Sequence, residues 1–262
     1  MPRIENIDEY AQNLYLTDEY VTKNPSLHQE DSPWKMGKIT PLIDKFMNYF
    51  GKHEVNVLDV GGGAGLILKA VGGYIEKSFG VKVNKFALDL SPRMLKIQKK
   101  TNSDLKEAIN EDIRKTSLSA KEIDLTLLID VLEHIPNPIE ALKEVGRISG
   151  FVILKVPLED NLTRRIWNFV NLGKPRQLRI ETIGHINNYN FGSLRQHVEK
   201  YTGQMLDFYY TNVFGYFLKM QQNEAKWGFR IRNLTGAYLF RRSPELCSLI
   251  FNDFVMVLVK CF

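Results

Sequence analysis

A chain of 262 residues with 44% hydrophobic and 25% charged residues has the balance of a globular protein and enough length to bury one α/β core. That excludes a disordered chain, and with no run of about 18 apolar residues it predicts no membrane-spanning helix. The opening MPRIENIDEY lacks the blocks of a secretory leader, and Cys247 and Cys261 offer neither a disulfide framework nor a metal set. A cytoplasmic protein without a metal is the expectation.

The first fifty residues read as an irregular and helical cap segment, closing in an amphipathic stretch from Met36 to Phe50. Glu54 to Val60 (EVNVLDV) is a β-branched, apolar strand that stops at Gly61-Gly62-Gly63. Gly65 to Lys77 reads as a helix and Val81 to Leu88 as the second strand. Ser91-Pro92 starts the next helix, with a capping hydroxyl and a proline at the first helical position. A short third strand falls near Lys106 to Asn110.

Asp124 to Ile129 (DLTLLI) is almost continuously apolar, as a strand buried on both faces should be. Asn137-Pro138-Ile139-Glu140 carries the cap, proline and acid of a helix start, and Gly150 to Val156 (GFVILKV) is a fifth strand. Two later strands, Met205 to Val213 and Asp253 to Lys260, flank a helical insertion. This alternation predicts an α/β fold with a doubly wound, mostly parallel seven-stranded sheet whose final hairpin strand is antiparallel. The main domain would span 51–262, with helical lid insertions at 159–190 and 215–250.

The most informative stretch is Val57-Leu58-Asp59-Val60-Gly61-Gly62-Gly63-Ala64-Gly65. Glycines between strand and helix let the backbone take positive φ and approach a ligand with no Cβ in the way. A dinucleotide fingerprint would need a small residue where Leu66 or Leu68 stands, and a phosphate-binding P-loop would need Gly-Lys-Ser/Thr. The spacing is GxGxG.

LDVGGGAG resembles the first motif of class I S-adenosylmethionine-dependent methyltransferases. Asp124 to Pro138 (DLTLLIDVLEHIPNP) resembles the fourth-strand signature of their small-molecule, type 11 (UbiE-like) branch, often written VLEHxPxP. The resemblance runs from about Val55 to Thr202. It implies a Rossmann-like methyltransferase fold, S-adenosylmethionine as cofactor, and methyl transfer to a small molecule. It also implies roles by position. Asp59 would order the turn, the Gly61 carbonyl would meet the cofactor's ammonium, and Gly63 and Gly65 would open the approach. Asp89, followed by Leu90, would bind the ribose hydroxyls through a charge-assisted contact. Met94 would lie on the adenine face, Asp112 (or Glu111) would take the adenine amine, and the Ile113 amide would meet a ring nitrogen. Asp130 closes the cofactor set at the end of the fourth strand.

On the acceptor side, His134 and His185 are the candidate general bases, set against a structural role for each. His28, Trp34 and Lys35 belong to a segment that could close over the cofactor. Methylation of a base's exocyclic amine generally uses an (N/D)PP(Y/F) turn where this chain reads Asp130-Val131-Leu132-Glu133, which argues against adenine or cytosine in nucleic acid. From Thr163 to Arg242 there are 13 Lys/Arg against 4 Asp/Glu, a balance of +9 within a chain of net charge +5. Arg164, Arg165, Lys174, Arg176 and Arg179 cluster there, and Trp167 or Tyr189 could stack on a sugar or base. The cluster offers a place for an anionic acceptor (a sugar, nucleotide-linked sugar or lipid), and methyl transfer to oxygen is expected ahead of nitrogen or carbon. A merely solvated basic face, attraction to a membrane surface, an RNA methyltransferase, and a non-catalytic S-adenosylmethionine-binding protein are the alternatives.

Overall fold

The computed structural model describes residues 29–220 and 227–262, together with residues 9, 10, 13, 16 and 17. β1 (Glu54–Val60) sits near the middle of the sheet because it is apolar on both faces. It pairs in parallel with β2 (Lys82–Leu88) on one side and β4 (Ile123–Ile129) on the other. β3 (Leu105–Ile109) extends the sheet past β2, and β5 (Ser149–Leu158) extends it past β4, both in parallel. β7 (Asp253–Cys261) then inserts antiparallel between β5 and β6 (Gly203–Tyr210), giving the order β3-β2-β1-β4-β5-β7-β6. The seven-stranded, mostly parallel expectation holds.

Helices cover both faces. α1 (Ser32–Tyr49) and α2 (Leu66–Phe79) lie on one face. There Ile39, Leu42, Ile43 and Phe46 of α1 meet Val55 and Val57 of β1 and Leu125 and Leu127 of β4. On the other face Leu58, Leu128 and Leu154 pack under α4 (Pro138–Ile148) and α7 (Phe191–Tyr201). Successive strand residues point to opposite faces, so a two-sided apolar strand feeds both cores. α1 starts at Ser32, four residues before the expected Met36, because Pro33 suits the first turn of a helix.

α3 (Pro92–Thr101) is capped as expected, its Ser91 hydroxyl accepting from the Met94 amide at 3.3 Å. Asn137 before α4 is different: it adopts φ +52° and makes no side-chain cap. β6 ends three residues before the expected Val213. The Asp253 carboxylate accepts from the Asn212 and Val213 amides at 3.0 and 3.1 Å, turning the chain out of the sheet at Asn212 (φ +55°).

The region after β5 folds into α5 (Leu162–Val170) and α6 (Lys174–Ile183). The region after β6 folds into α8 (Val213–Met220), α9 (Trp227–Arg242) and α10 (Pro244–Ile250). A separate small core of Val213, Phe214 and Cys247 holds the second group. Among the described residues no helix is long and apolar enough to cross a membrane.

Candidate active site

At the carboxyl edge of β1, β4 and β5 lies a cavity of about 300 Å³. Doubly wound sheets place ligands at this edge, where diverging crossovers leave a crevice. Its floor is the turn Gly61-Gly62-Gly63-Ala64, with Gly61 at φ +61° and Gly63 at φ +55°. The Gly61 amide donates to the Leu88 carbonyl at 2.8 Å, tying the turn to the end of β2. Gly62 is indispensable for a different reason: a Cβ there would stand 2.1 Å from Asp59 Oδ2. Gly65 (φ +75°) lies just off the floor as the residue that opens α2.

Asp59 is buried under this turn, and its Oδ2 has no hydrogen-bond partner. Burial, with help from Asp89, pushes its carboxyl up to about 7. An acid orphaned beneath backbone amides, next to a cradle with no side chains, fits a cationic ligand carrying polar groups, as S-adenosylmethionine is.

The other positions expected to bind cofactor separate into two sets. Asp130 is on the cavity wall. Its carboxylate bridges the ammonium of Lys155, in close contact, and that of Lys35 at 3.0 Å; these two cations hold it down near 2 against burial. Asp89, Leu90, Met94, Asp112 and Ile113 lie off the wall, around the ends of β2 and β3. Asp89 Oδ1 accepts from the Ser91 amide at 2.9 Å and Oδ2 from Gln98 at 3.4 Å, while burial pushes the group up to about 6. The carbonyls of Asp89 and Leu90 both accept from Asn110, each at 2.9 Å. Met94 and Ile113 are buried. Asp112, expected to take the adenine amine, is already engaged within the protein. Arg114 closes on it, with Nε at 3.0 Å and Nη2 at 2.8 Å from Oδ2.

His134 and His185 come together on the wall with ring centroids 4.8 Å apart and planes at 84°. Their environments differ. His134 Nδ1 donates to the Gly184 carbonyl at 3.1 Å, and burial followed by His185 pushes its pKa down to about 3. His185 Nδ1 donates to Glu159 Oε2 at 2.9 Å, which leaves Nε2 as the ring's proton acceptor. Glu159 is buried yet held below the usual carboxylate range by His185, Arg179 and Arg164. Arg179 Nη1 lies 2.6 Å from Glu159 Oε2 and Arg164 Nη2 lies 3.5 Å from Oε1. Nε and Nη2 of Arg179 are buried with no acceptor among the described residues.

Trp34 packs on Phe254, which lines the cavity, and Lys35 is itself a wall residue; His28 lies outside the described residues. Tyr189 cannot stack on a ligand, because its ring is buried against Leu132-side core residues and His197. Trp167 stays on the surface.

Three participants were missed. Lys155 is the one charged residue within GFVILKV, a signal that the apolar run obscured. Glu133 is buried with both carboxylate oxygens unpartnered, and burial and Asp130 raise its pKa well above normal. Glu159 had no local signal at all. One ligand atom from each of Glu133, His134 and His185 lies within 4.8 Å of the others, a spacing a metal ion could draw together. Two ammonium groups on the same wall and a carboxyl that favours its neutral form oppose a dication there.

Comparison with known proteins agrees with the fold. A family model described as a methyltransferase domain matches residues 58–150. Among curated proteins no sequence matches. The chain is similar in fold to geranyl diphosphate C-methyltransferase from Streptomyces coelicolor, with TM-score 0.60 and 10% identity over 94% of this chain and 85% of that one. It is similar to phosphoethanolamine N-methyltransferase 2 from Haemonchus contortus, solved with S-adenosyl-L-methionine (TM-score 0.55, 11% identity, 98% and 60% covered). It also resembles a protein from Galdieria sulphuraria assigned as a sarcosine dimethylglycine methyltransferase (TM-score 0.58, 13% identity, 89% and 88% covered).

Proposed function

We propose that this chain, a class I S-adenosylmethionine-dependent methyltransferase, methylates a hydroxyl of a small acceptor that carries a phosphate or similar anion. S-adenosylmethionine supplies an electrophilic methyl group when bound. The protein's own work is to align the acceptor, exclude water and take the hydroxyl proton. Asp59, the glycine turn, Asp89, Asp112 and Asp130 are assigned to cofactor binding, supported by their places at the ends of β1 to β4. His185 is assigned as the base. Glu159 orients it and would stabilise the imidazolium that forms, whereas His134, with its pKa near 3, is a poor proton acceptor at neutral pH.

The observation that carries the anionic acceptor is Arg179. Its Nη1 is taken by Glu159, while the buried Nε and Nη2, with no acceptor among the described residues, are left to donate to the oxygen atoms of an anion beside the Glu159–His185 pair. Two free cysteines support placing the enzyme in the cytoplasm.

The test is incubation with methyl-labelled cofactor and a panel of sugar phosphates, nucleotide-linked sugars, lipid phosphates and tRNA. Label should enter one of the small anionic acceptors, with Arg179→Gln raising that acceptor's KM while cofactor affinity stays unchanged. Label in tRNA would overturn the small-molecule reading. Cofactor binding with no transfer to any acceptor would make the protein a non-catalytic binder.

A further inference from the structure

We infer that the helices α5, α6, α9 and α10 form a docking face for an anionic lipid surface. Of the 18 large hydrophobic side chains exposed among the described residues, 14 fall between Leu162 and Leu249. α5 has no buried residue at all, and Phe169, Val170 and Leu172 at its end are 85%, 67% and 88% exposed. α9 packs on the small core along one side and exposes the other. Only Asn233 and Gly236 are buried, and Gly236 lies so close to the Phe214 ring that a Cβ would stand 2.5 Å from it. Ala237, Leu239 and Phe240 pack beside them on the small core, whereas Trp227 (80% exposed), Ile231, Leu234 and Tyr238 are exposed. α5 contacts α6 and α10, and α10 contacts α9, so the helices that carry these side chains form one contiguous block.

A water-facing apolar surface of this extent marks a site of interaction. Its charge selects the occupant. Lys174, Arg230 and Arg241 are interspersed with the apolar residues and have no ion-pair partner among the described residues, and residues 163–242 carry +9. Apolar and aromatic side chains beside Lys and Arg suit the boundary between acyl chains and anionic headgroups. A second copy would press the same basic face against its twin, and a basic partner would find too few acids to meet it. The face adjoins the site directly, because α6 ends at Ile183 on the cavity wall and Arg164 of α5 reaches Glu159. This deepens the anionic-acceptor reading by naming a lipid-anchored acceptor, drawn from the surface on which the enzyme sits.

Vesicle binding tests the face without turnover, so it can fail separately from that reading. The full chain should sediment with vesicles of mixed phosphatidylglycerol and phosphatidylcholine, weakly with phosphatidylcholine alone, and less at high salt. Phe169→Ser with Leu172→Ser should lower binding about tenfold or more, from the loss of apolar burial. Lys174→Glu with Arg241→Glu should lower it by at least about tenfold and abolish the preference for phosphatidylglycerol. Both variants should titrate cofactor like the parent, which verifies the fold. Equal binding by parent and variants, or no binding to either vesicle, overturns the inference. So does self-association in velocity sedimentation that Phe169→Ser with Leu172→Ser abolishes, which would make a second copy the occupant.

Discussion

His185 donates through Nδ1 to Glu159 at 2.9 Å, and Arg179 meets the same carboxylate oxygen at 2.6 Å. A buried acid thus joins a ring on the cavity wall to an arginine whose Nε and Nη2 have no acceptor among the described residues. Three segments distant in sequence become one unit.

His185→Ala should lower turnover by about two orders of magnitude or more while leaving cofactor affinity intact, as expected for a general base. Glu159→Gln should lower turnover less and change its pH profile, because the imidazolium loses its counter-charge. Near-normal turnover in His185→Ala, measured with the identified acceptor, would assign catalysis to alignment alone.

Cofactor affinity should rise with pH through about 6. Asp89 is raised to about 6 and Asp59 to about 7, so both hold protons in the unliganded protein under mildly acidic conditions. The anion accepts two ribose hydroxyls better than the acid does, so binding near pH 6 should release protons, visible by calorimetry in buffers of different ionisation enthalpy. Asp89→Ala should cost about 2–4 kcal/mol of binding at pH 8. Wild-type affinity in that variant would remove Asp89 from the site.

The same two acids affect stability in one direction and His134 in the other. With folded values above the unfolded ones, Asp59 and Asp89 contribute stability that is lost as pH rises through about 6 to 7. His134 is depressed from 6.5 to about 3, so its contribution is complete above 6.5 and is lost as pH falls toward 3. His134→Asn should therefore flatten the acid limb of a denaturation series between pH 6.5 and 4. An unchanged limb would show that His134 does not govern it.

Gly62→Ala should weaken cofactor binding at least about tenfold, because its Cβ would stand 2.1 Å from Asp59 Oδ2 and displace the floor of the cavity. In an Asp59→Ala background the same substitution should add little, since the obstructing oxygen is gone. Full additivity of the two would refute the steric account.

Chelators should leave transfer unaffected, because Lys35 and Lys155 occupy the wall where a dication would sit beside Glu133, His134 and His185. Activity lost to EDTA and regained with Zn²⁺ would make those three residues metal ligands instead.

Local pattern carried the strands and the glycine turn. The apolar run at Leu125 to Ile129 marks a strand covered on both sides wherever its neighbours lie. The triple glycine after Val60 states a backbone requirement independent of the rest of the chain. The antiparallel last strand was also legible, but not its insertion between β5 and β6, because pairing order is a property of distant segments. The pairing of Asp112 with Arg114, two residues on, was not legible either, because which side chain bends back is decided by local geometry.

The amino-acid sequence alone determined the class of fold and the place of the glycine turn, since these rest on short-range periodicity and backbone demands, and its motifs carried the resemblance that implies the cofactor. Only the tertiary structure decided which ionisable groups work together. Lys155 meets Asp130 across a strand pair, Lys35 reaches it from the first helix, and Glu159 finds His185 through a helical insertion. Burial then sets their charge states, because desolvation and Coulomb energy depend on distances through space, not along the chain.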